Sequence, residues 1–308
     1  MKTKIVVGTR GSKLALIQTE SVVSKLKLMH PELEISIKKI VTAGDRDRLT
    51  HLDRIGVDVF VKELEEALLD GRIDFAVHSL KDVPTDIPQG LGLIAVTERE
   101  DPRDVLVAKA SFDDLPPGSR IGTGSLRRTI QVAQVRPDLE TCGIRGNVDT
   151  RLRKVSSGEV DGVILAAAAL SRMGWQSKIT QYLPLDSFLP AAGQGALVVE
   201  ARTDDKEIVD MISLINHLPT WQCVTAERTF LRELGGGCRA PIAALGTIEG
   251  TKLRIEGMVA SPTGKNMLRD SFEGDVTSSE ELGMKLARRM LEMGASKYIA
   301  EARLDEIR

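Results

Sequence analysis

The stretch Ile73-Asp74-Phe75-Ala76-Val77-His78-Ser79-Leu80-Lys81-Asp82-Val83-Pro84 decides how the chain is to be read. Ile73 to Val77 reads as a strand, and Phe60 to Leu69 before it reads as a helix. Ligands in open α/β sheets bind outside the carboxyl ends of strands, so Lys81 and Asp82 stand where chemistry is expected. A plainer job as turn residues stays open from these residues alone.

Working back toward the N-terminus, Ile5 to Gly8 is a short buried strand, and Thr9-Arg10-Gly11-Ser12 turns out of it. Ser12 suits the N-cap of a helix whose apolar face runs through Ala15, Leu16, Thr19, Val22, Val23 and Leu26. Ile35 and Ile37 mark the next strand, so the chain opens as a βαβ unit. Thr42 to Val59 is a polar stretch with Asp45, Arg46, Asp47, Arg48, Asp53 and Arg54. A stretch this long without periodicity reads as a lid or binding loop, or else as a solvated charge run.

Downstream, Leu93 to Thr97 and Val105 to Ala108 read as strands. Ile121-Gly122-Thr123-Gly124-Ser125-Leu126-Arg127-Arg128 is a strand, a Gly-rich turn and a helix start, where backbone amides make an anion site. The pattern recurs with a strand into Ile144, the turn Arg145-Gly146-Asn147-Val148 and a helix from about Asp149. A strand from Gly162 to Ala166 then leads to a short helix carrying Arg172. Between Gly118 and Gly158 lie eight basic and three acidic residues, in a chain whose formal net charge is -2. Arginine presents a planar fork to carboxylates or phosphates, which is the physical reason to prefer it over lysine there. Pro190 to Ala196 reads as a return crossing toward the first domain, followed by a strand from Leu197 to Ala201.

The last third is a small α+β domain, with strands near Ile242 to Ile248 and Lys252 to Val259 and a terminal helix near Glu280 to Ala300. Trp221 to Leu234 reads as a helix, and Gly235, Gly236 and Gly237 stop it. Cys238 follows, either as a small buried cysteine behind a cap or as an exposed thiol that carries something covalently. It sits at the helix end where the dipole disfavours a thiolate, so a reacting partner must itself be strongly electrophilic.

Composition narrows the function classes. The chain has 308 residues, 42% of them apolar and 3% aromatic. That length allows two or three domains. The shortage of aromatics and the near-neutral charge argue against nucleic acid. Three scattered cysteines and four histidines make neither a disulfide framework nor a metal-ligand spacing. No signal peptide opens the chain and no apolar run reaches membrane length, which predicts a cytoplasmic protein. Cys142 and Cys223 are expected to be small buried hydrophobes.

Six stretches match one family in order: Thr9 to Leu16, Ala76 to Pro84, Gly122 to Arg128, Arg145 to Leu152, Ala192 to Ala196, and Ala226-Glu227-Arg228 through Gly237-Cys238. On these the chain resembles the hydroxymethylbilane synthases, or porphobilinogen deaminases, over essentially its whole length. The resemblance implies two periplasmic-binding-protein-like α/β domains, 1–97 with 197–216 and 98–196, and an α+β domain, 217–308. It implies a dipyrromethane cofactor joined by a thioether to Cys238. Four porphobilinogen units are then added, and water releases the linear tetrapyrrole hydroxymethylbilane. By the same resemblance Asp82 is the catalytic residue, serving the pyrrole N–H groups and the azafulvenium cation left when ammonia departs. Arg10, Ser12, Lys81, Thr123, Ser125, Arg127, Arg128, Arg145, Gly146, Arg151, Arg172 and Gln194 are implied to hold the acetate and propionate side chains. The loop carrying Asp45, Arg46, Arg48, Arg54 and Phe60 resembles the family's mobile loop, but Gly56-Val57-Asp58-Val59 replaces the usual Gly-Lys-Gly. A monomer is implied, with no metal, nucleic-acid or membrane partner. A two-domain anion-binding protein would explain the turns and arginines, but would leave Cys238 and Asp82 without a task.

Overall fold

A computed structural model describes residues 2–42, 61–235 and 241–305. These fall into two compact units, residues 1–99 with 196–221, and residues 100–195 with 222–308.

In the first unit, β1 (Lys4–Arg10), α1 (Lys13–Met29) and β2 (Glu34–Ile40) form the expected βαβ opening, with β1 and β2 parallel. Ser12 caps α1 as its residue type suggests, its Oγ accepting from Ala15 N at 3.3 Å. Next come α2 (Lys62–Leu69) and β3 (Phe75–Ser79), which lies parallel to β1. A 3₁₀ turn over Leu80–Asp82 follows, and then β4 (Leu91–Val96). The sheet runs β2-β1-β3-β10-β4, where β10 (Leu197–Arg202) returns much later and pairs antiparallel with β3 and β4. Ile5, Val7, Phe75, Val77 and Val199 pack beneath α1 and beneath α6 (Lys206–Ser213).

The second unit repeats this layout with different strands. Its sheet is built from β5 (Asp104–Ala108), β6 (Arg120–Gly122), β7 (Glu140–Cys142), β8 (Gly162–Ala166) and β9 (Gln181–Tyr182). The order is β7-β6-β8-β5-β9, with β6 parallel to β7 and β8 and with β5 antiparallel to β8. Each sheet therefore takes its antiparallel strand from chain that has just left the other unit. The connecting helices are α3 (Leu126–Val135), α4 (Val148–Ser156) and α5 (Ala167–Arg172).

The C-terminal part belongs to the same unit, except for the first residues of α7 (Leu218–Glu233). β11 (Ile242–Glu249), β12 (Lys252–Ala260) and β13 (Met267–Asp275) form an antiparallel meander; β13 was not read from the sequence. One face of the meander packs Leu253, Ile255 and Val259 into a core with Phe230 of α7 and Leu286 of α8 (Ser279–Glu292). Gly283 permits that helix pair, since a Cβ there would lie 2.4 Å from Ala226 O. The other face sets Ala243, Leu245, Met258 and Ala260 against Ile130 and Leu189. Both faces of β11 are thus covered, which accounts for its unbroken buried run Ile242–Gly246. The single terminal helix expected is in fact two, because Gly294 at φ +100° ends α8 before α9 (Ala295–Asp305) begins. No helix among the described residues is long and apolar enough to cross a membrane.

Candidate active site

In the first unit β1 and β3 are adjacent parallel strands, so their carboxyl ends share one edge of the sheet. Arg10 and Ser12 leave from one end, and Lys81 and Asp82 from the other. The turn bearing Asp82 is held at several points. Leu80 is a buried plug, and its amide donates to Ala196 O at 3.0 Å. Val83 N closes the turn on Leu80 O at 3.1 Å. Behind it, Gln18 Nε2 donates to Ser79 Oγ at 2.9 Å, and His78 Nε2 lies 3.0 Å from Glu200 Oε2. Both members of the His78–Glu200 pair are buried, and Glu200 Oε1 has no hydrogen-bond partner among the described residues. Asp82 itself is half-buried, and its carboxylate has no ion or hydrogen-bond partner among the described residues. A fixed backbone thus presents an uncommitted carboxylate at a strand end.

In the second unit β6, β7 and β8 end on a common edge in the same way, and the turns and helices that follow them carry most of the expected ligand-binding residues. Ser125 N donates to Thr123 Oγ1 at 3.2 Å, and Thr123 N to Cys142 O at 2.9 Å, which fixes the Gly-rich turn before α3. Arg151 Nε donates to Gly146 O at 2.8 Å across the start of α4, and Arg145 is half-buried beside it. Gly146 takes φ +101°, a conformation that glycine adopts at little cost.

Arg127, Arg128 and Gln194 come together around a residue that the sequence reading left without a role. Asp104 is fully buried and accepts from Arg127 Nη1 at 2.8 Å, Arg128 Nη2 at 2.7 Å and Gln194 Nε2 at 2.8 Å. Antiparallel β5 starts at Asp104, opposite Ala166 at the end of β8, so topology delivers this acid to the edge where the parallel strands finish. Burial alone would raise the Asp104 carboxyl; the charges of Arg127 and Arg128 overcome this and hold it far below the usual carboxylate range. Burial pushes the Arg127 guanidinium down, with Asp104 opposing. Leu189 O and Ile164 O take further donors from Arg127 and Arg128. The pair is therefore not a simple surface for incoming carboxylates, because much of its hydrogen bonding is already internal. Arg128 Nε remains, buried and without a hydrogen-bond partner among the described residues.

Arg172, at the end of α5, is different. It donates to Gly195 O at 2.7 Å, and no carboxylate pairs with it among the described residues. Burial lowers its pKa to about 10, against the opposing charge of Glu100, so it stays cationic at neutral pH.

Glu227 in α7 was also missed as a structural centre. Wholly buried, it accepts from Gly193 N at 2.6 Å and from Gly246 N at 2.7 Å, clamping the turn that carries Gln194 to β11. Gly235, at φ +61°, stops α7 as expected. Cys238 lies outside the described residues, as do Asp45, Arg46, Arg48, Arg54 and Phe60. Cys223 is buried, whereas Cys142 is only half-buried because β7 is an edge strand.

The residues present fit a bound group rich in carboxylates. Among the described residues, the buried Arg128 Nε without a partner and the Arg172 guanidinium without a carboxylate partner are sites that such a ligand satisfies.

Two family descriptions match the chain. One, "Porphobilinogen deaminase, dipyromethane cofactor binding domain", covers residues 5–210, and the other, "Porphobilinogen deaminase, C-terminal domain", covers residues 221–292. Porphobilinogen deaminase of Pelobacter propionicus is 48% identical over 98% of this chain and 98% of its own length. That of Thermus thermophilus is 48% identical over 97% of this chain and 99% of its own. Among solved structures, the methionine binding protein MetQ covers 71% of this chain and 90% of its own at 14% identity, with a TM-score of 0.45.

Proposed function

The chain belongs to the porphobilinogen deaminase family, and from that premise we propose how its own residues carry out the family's reaction. As a family member it is a transferase of tetrapyrrole biosynthesis that uses a dipyrromethane cofactor and takes porphobilinogen as substrate. Cys238 is the proposed thioether attachment point.

The uncommitted Asp82 carboxylate carries this reading. Asp82 accepts the pyrrole N–H of porphobilinogen and lies against the aminomethyl carbon. The aminomethyl group reacts as its ammonium form: the C–N bond breaks with its electron pair going to nitrogen, neutral ammonia leaves, and the carboxylate stabilises the azafulvenium that remains. When bound, the dipyrromethane supplies the free pyrrole α-carbon that adds to this cation. Asp82 then takes the proton lost from the new junction. Arg10, Ser12 and Lys81 in the first unit orient the substrate's acetate and propionate. Thr123, Ser125, Arg128 Nε, Arg145, Gly146, Arg151 and Arg172 in the second hold those of the rings already joined. Arg127 and Gln194 act with Asp104 to fix Arg128. The loop residues Asp45, Arg46, Arg48, Arg54 and Phe60 are proposed to cover the substrate. The division into domains 1–97 with 197–216, 98–196 and 217–308 is the functional one in this proposal. The protein works as a cytoplasmic monomer, without nucleic acid or membrane.

Asp82→Asn tests the central role. It is expected to lower kcat by about 10²- to 10⁴-fold while KM for porphobilinogen changes little. Full turnover in Asp82→Asn would exclude this carboxylate.

A further inference from the structure

The chain passes between its two compact units twice, from Arg99 to Glu100 and from Gly195 to Ala196. At the second passage the Gly195 carbonyl accepts two hydrogen bonds, from Glu100 N at 3.2 Å and from Arg172 Nη2 at 2.7 Å. This oxygen is one of several ties between the passages, beside Thr97 N to Leu197 O at 3.0 Å and Gln194 Nε2 to Pro102 O at 2.7 Å, and it is the one that a cationic side chain, at the end of α5, holds. Ser171, the preceding residue, reaches the same place, with Oγ donating to Glu100 Oε2 at 3.4 Å. Arg172 therefore does more than wait for a ligand.

Its chemistry also differs from that of the buried pair Arg127 and Arg128. Arg127 and Arg128 share the charge of Asp104 at 2.8 and 2.7 Å, so a carboxylate arriving there displaces an existing ion pair. Arg172 hydrogen-bonds a neutral carbonyl, and the charge of Glu100 acts on it without an ion pair among the described residues. A charge-assisted bond to a carboxylate is roughly twice as strong as one between neutral groups, so an incoming carboxylate competes well for this donor.

We propose that Arg172 is a latch on the two passages: its guanidinium holds the Gly195 carbonyl until a carboxylate of the growing pyrrole chain draws it away, so that loading of the site loosens both passages. The inference rests on the substrate proposed above, and it adds a conformational consequence to carboxylate binding. Loss of Arg172 from Gly195 O leaves that oxygen with Glu100 N alone.

Hydrogen exchange tests this on the cofactor-bearing enzyme, alone and with porphobilinogen, with the ring number of each species read from its intact mass. In the wild type, peptides covering residues 97–103 and 193–199 are expected to exchange about tenfold faster once rings have been added. In Arg172→Gln they are expected to exchange fast without substrate and to change no further. Where Arg172→Gln does not fold, the wild-type comparison still decides. Rings that add to the wild type with no change in these peptides would overturn the latch and leave the deaminase reading intact. A wild-type protein to which no ring adds would overturn both.

Discussion

Asp104→Asn is the perturbation that separates a structural counter-ion from a bystander. In the wild type the buried carboxylate receives three donors at 2.7 to 2.8 Å, two of them cationic. Asparagine keeps the shape but removes the charge, and its amide presents N–H groups where one oxygen faced a guanidinium. Two buried cations are then left without their common counter-ion. Breaking such a pair from one side costs ~3–5 kcal/mol. At ~2–4 °C per kcal/mol for a protein of this class, the midpoint should fall by roughly 6–20 °C. The pH dependence gives an internal check. The Asp104 pKa is depressed in the folded state, so its contribution is fully present above the unfolded carboxyl value of about 4 and is lost as pH falls toward the folded value. Calorimetry at pH 7 should therefore show the full gap between the two proteins, and urea titrations below about pH 4 a shrinking one. A gap under ~1 kcal/mol at pH 7, or one that stays constant into acid, would refute the assignment.

Two further substitutions probe the supports of the site. Gly146→Ala forces a side chain onto φ +101° and sets its Cβ 2.7 Å from Thr150 Cγ2, so a loss of ~1–3 kcal/mol in thermal unfolding and weaker cofactor loading are expected. Stability and loading equal to wild type would show that the turn tolerates a side chain. Glu227→Gln replaces one acceptor by N–H groups facing Gly193 N or Gly246 N, and should cost ~1–3 kcal/mol, with faster amide exchange at Gly193. Unchanged exchange at Gly193 would mean that the clamp is not what holds that turn.

The fold was legible where the signal is local. Short apolar runs and Gly-rich turns sufficed for both α/β sheets except the two-residue edge strand β9, and Ser12 and Gly235 marked helix ends because capping acts within a few residues. Asp82 could be placed at a strand end for the same reason. What the sequence concealed lies in long-range pairing. Asp104 meets Arg127 and Arg128 only because β5 runs antiparallel to β8, and His78 meets Glu200 only because β10 returns 122 residues later beside β3. No periodicity within either segment carries that information. β13 was missed because its burial is mixed along its length, so no clean alternation marks it. The arginines show a subtler limit. Composition revealed the cationic excess, but not that Arg127 and Arg128 face an internal acid while Arg172 faces a carbonyl.

The most direct test of the account is the mass of the intact, folded protein, followed by that of the peptide containing Cys238. An adduct of two porphobilinogen-derived pyrrole units is expected on Cys238, coloured by Ehrlich's reagent and absent from Cys238→Ser. A bare Cys238 thiol in folded, catalytically active protein would contradict it.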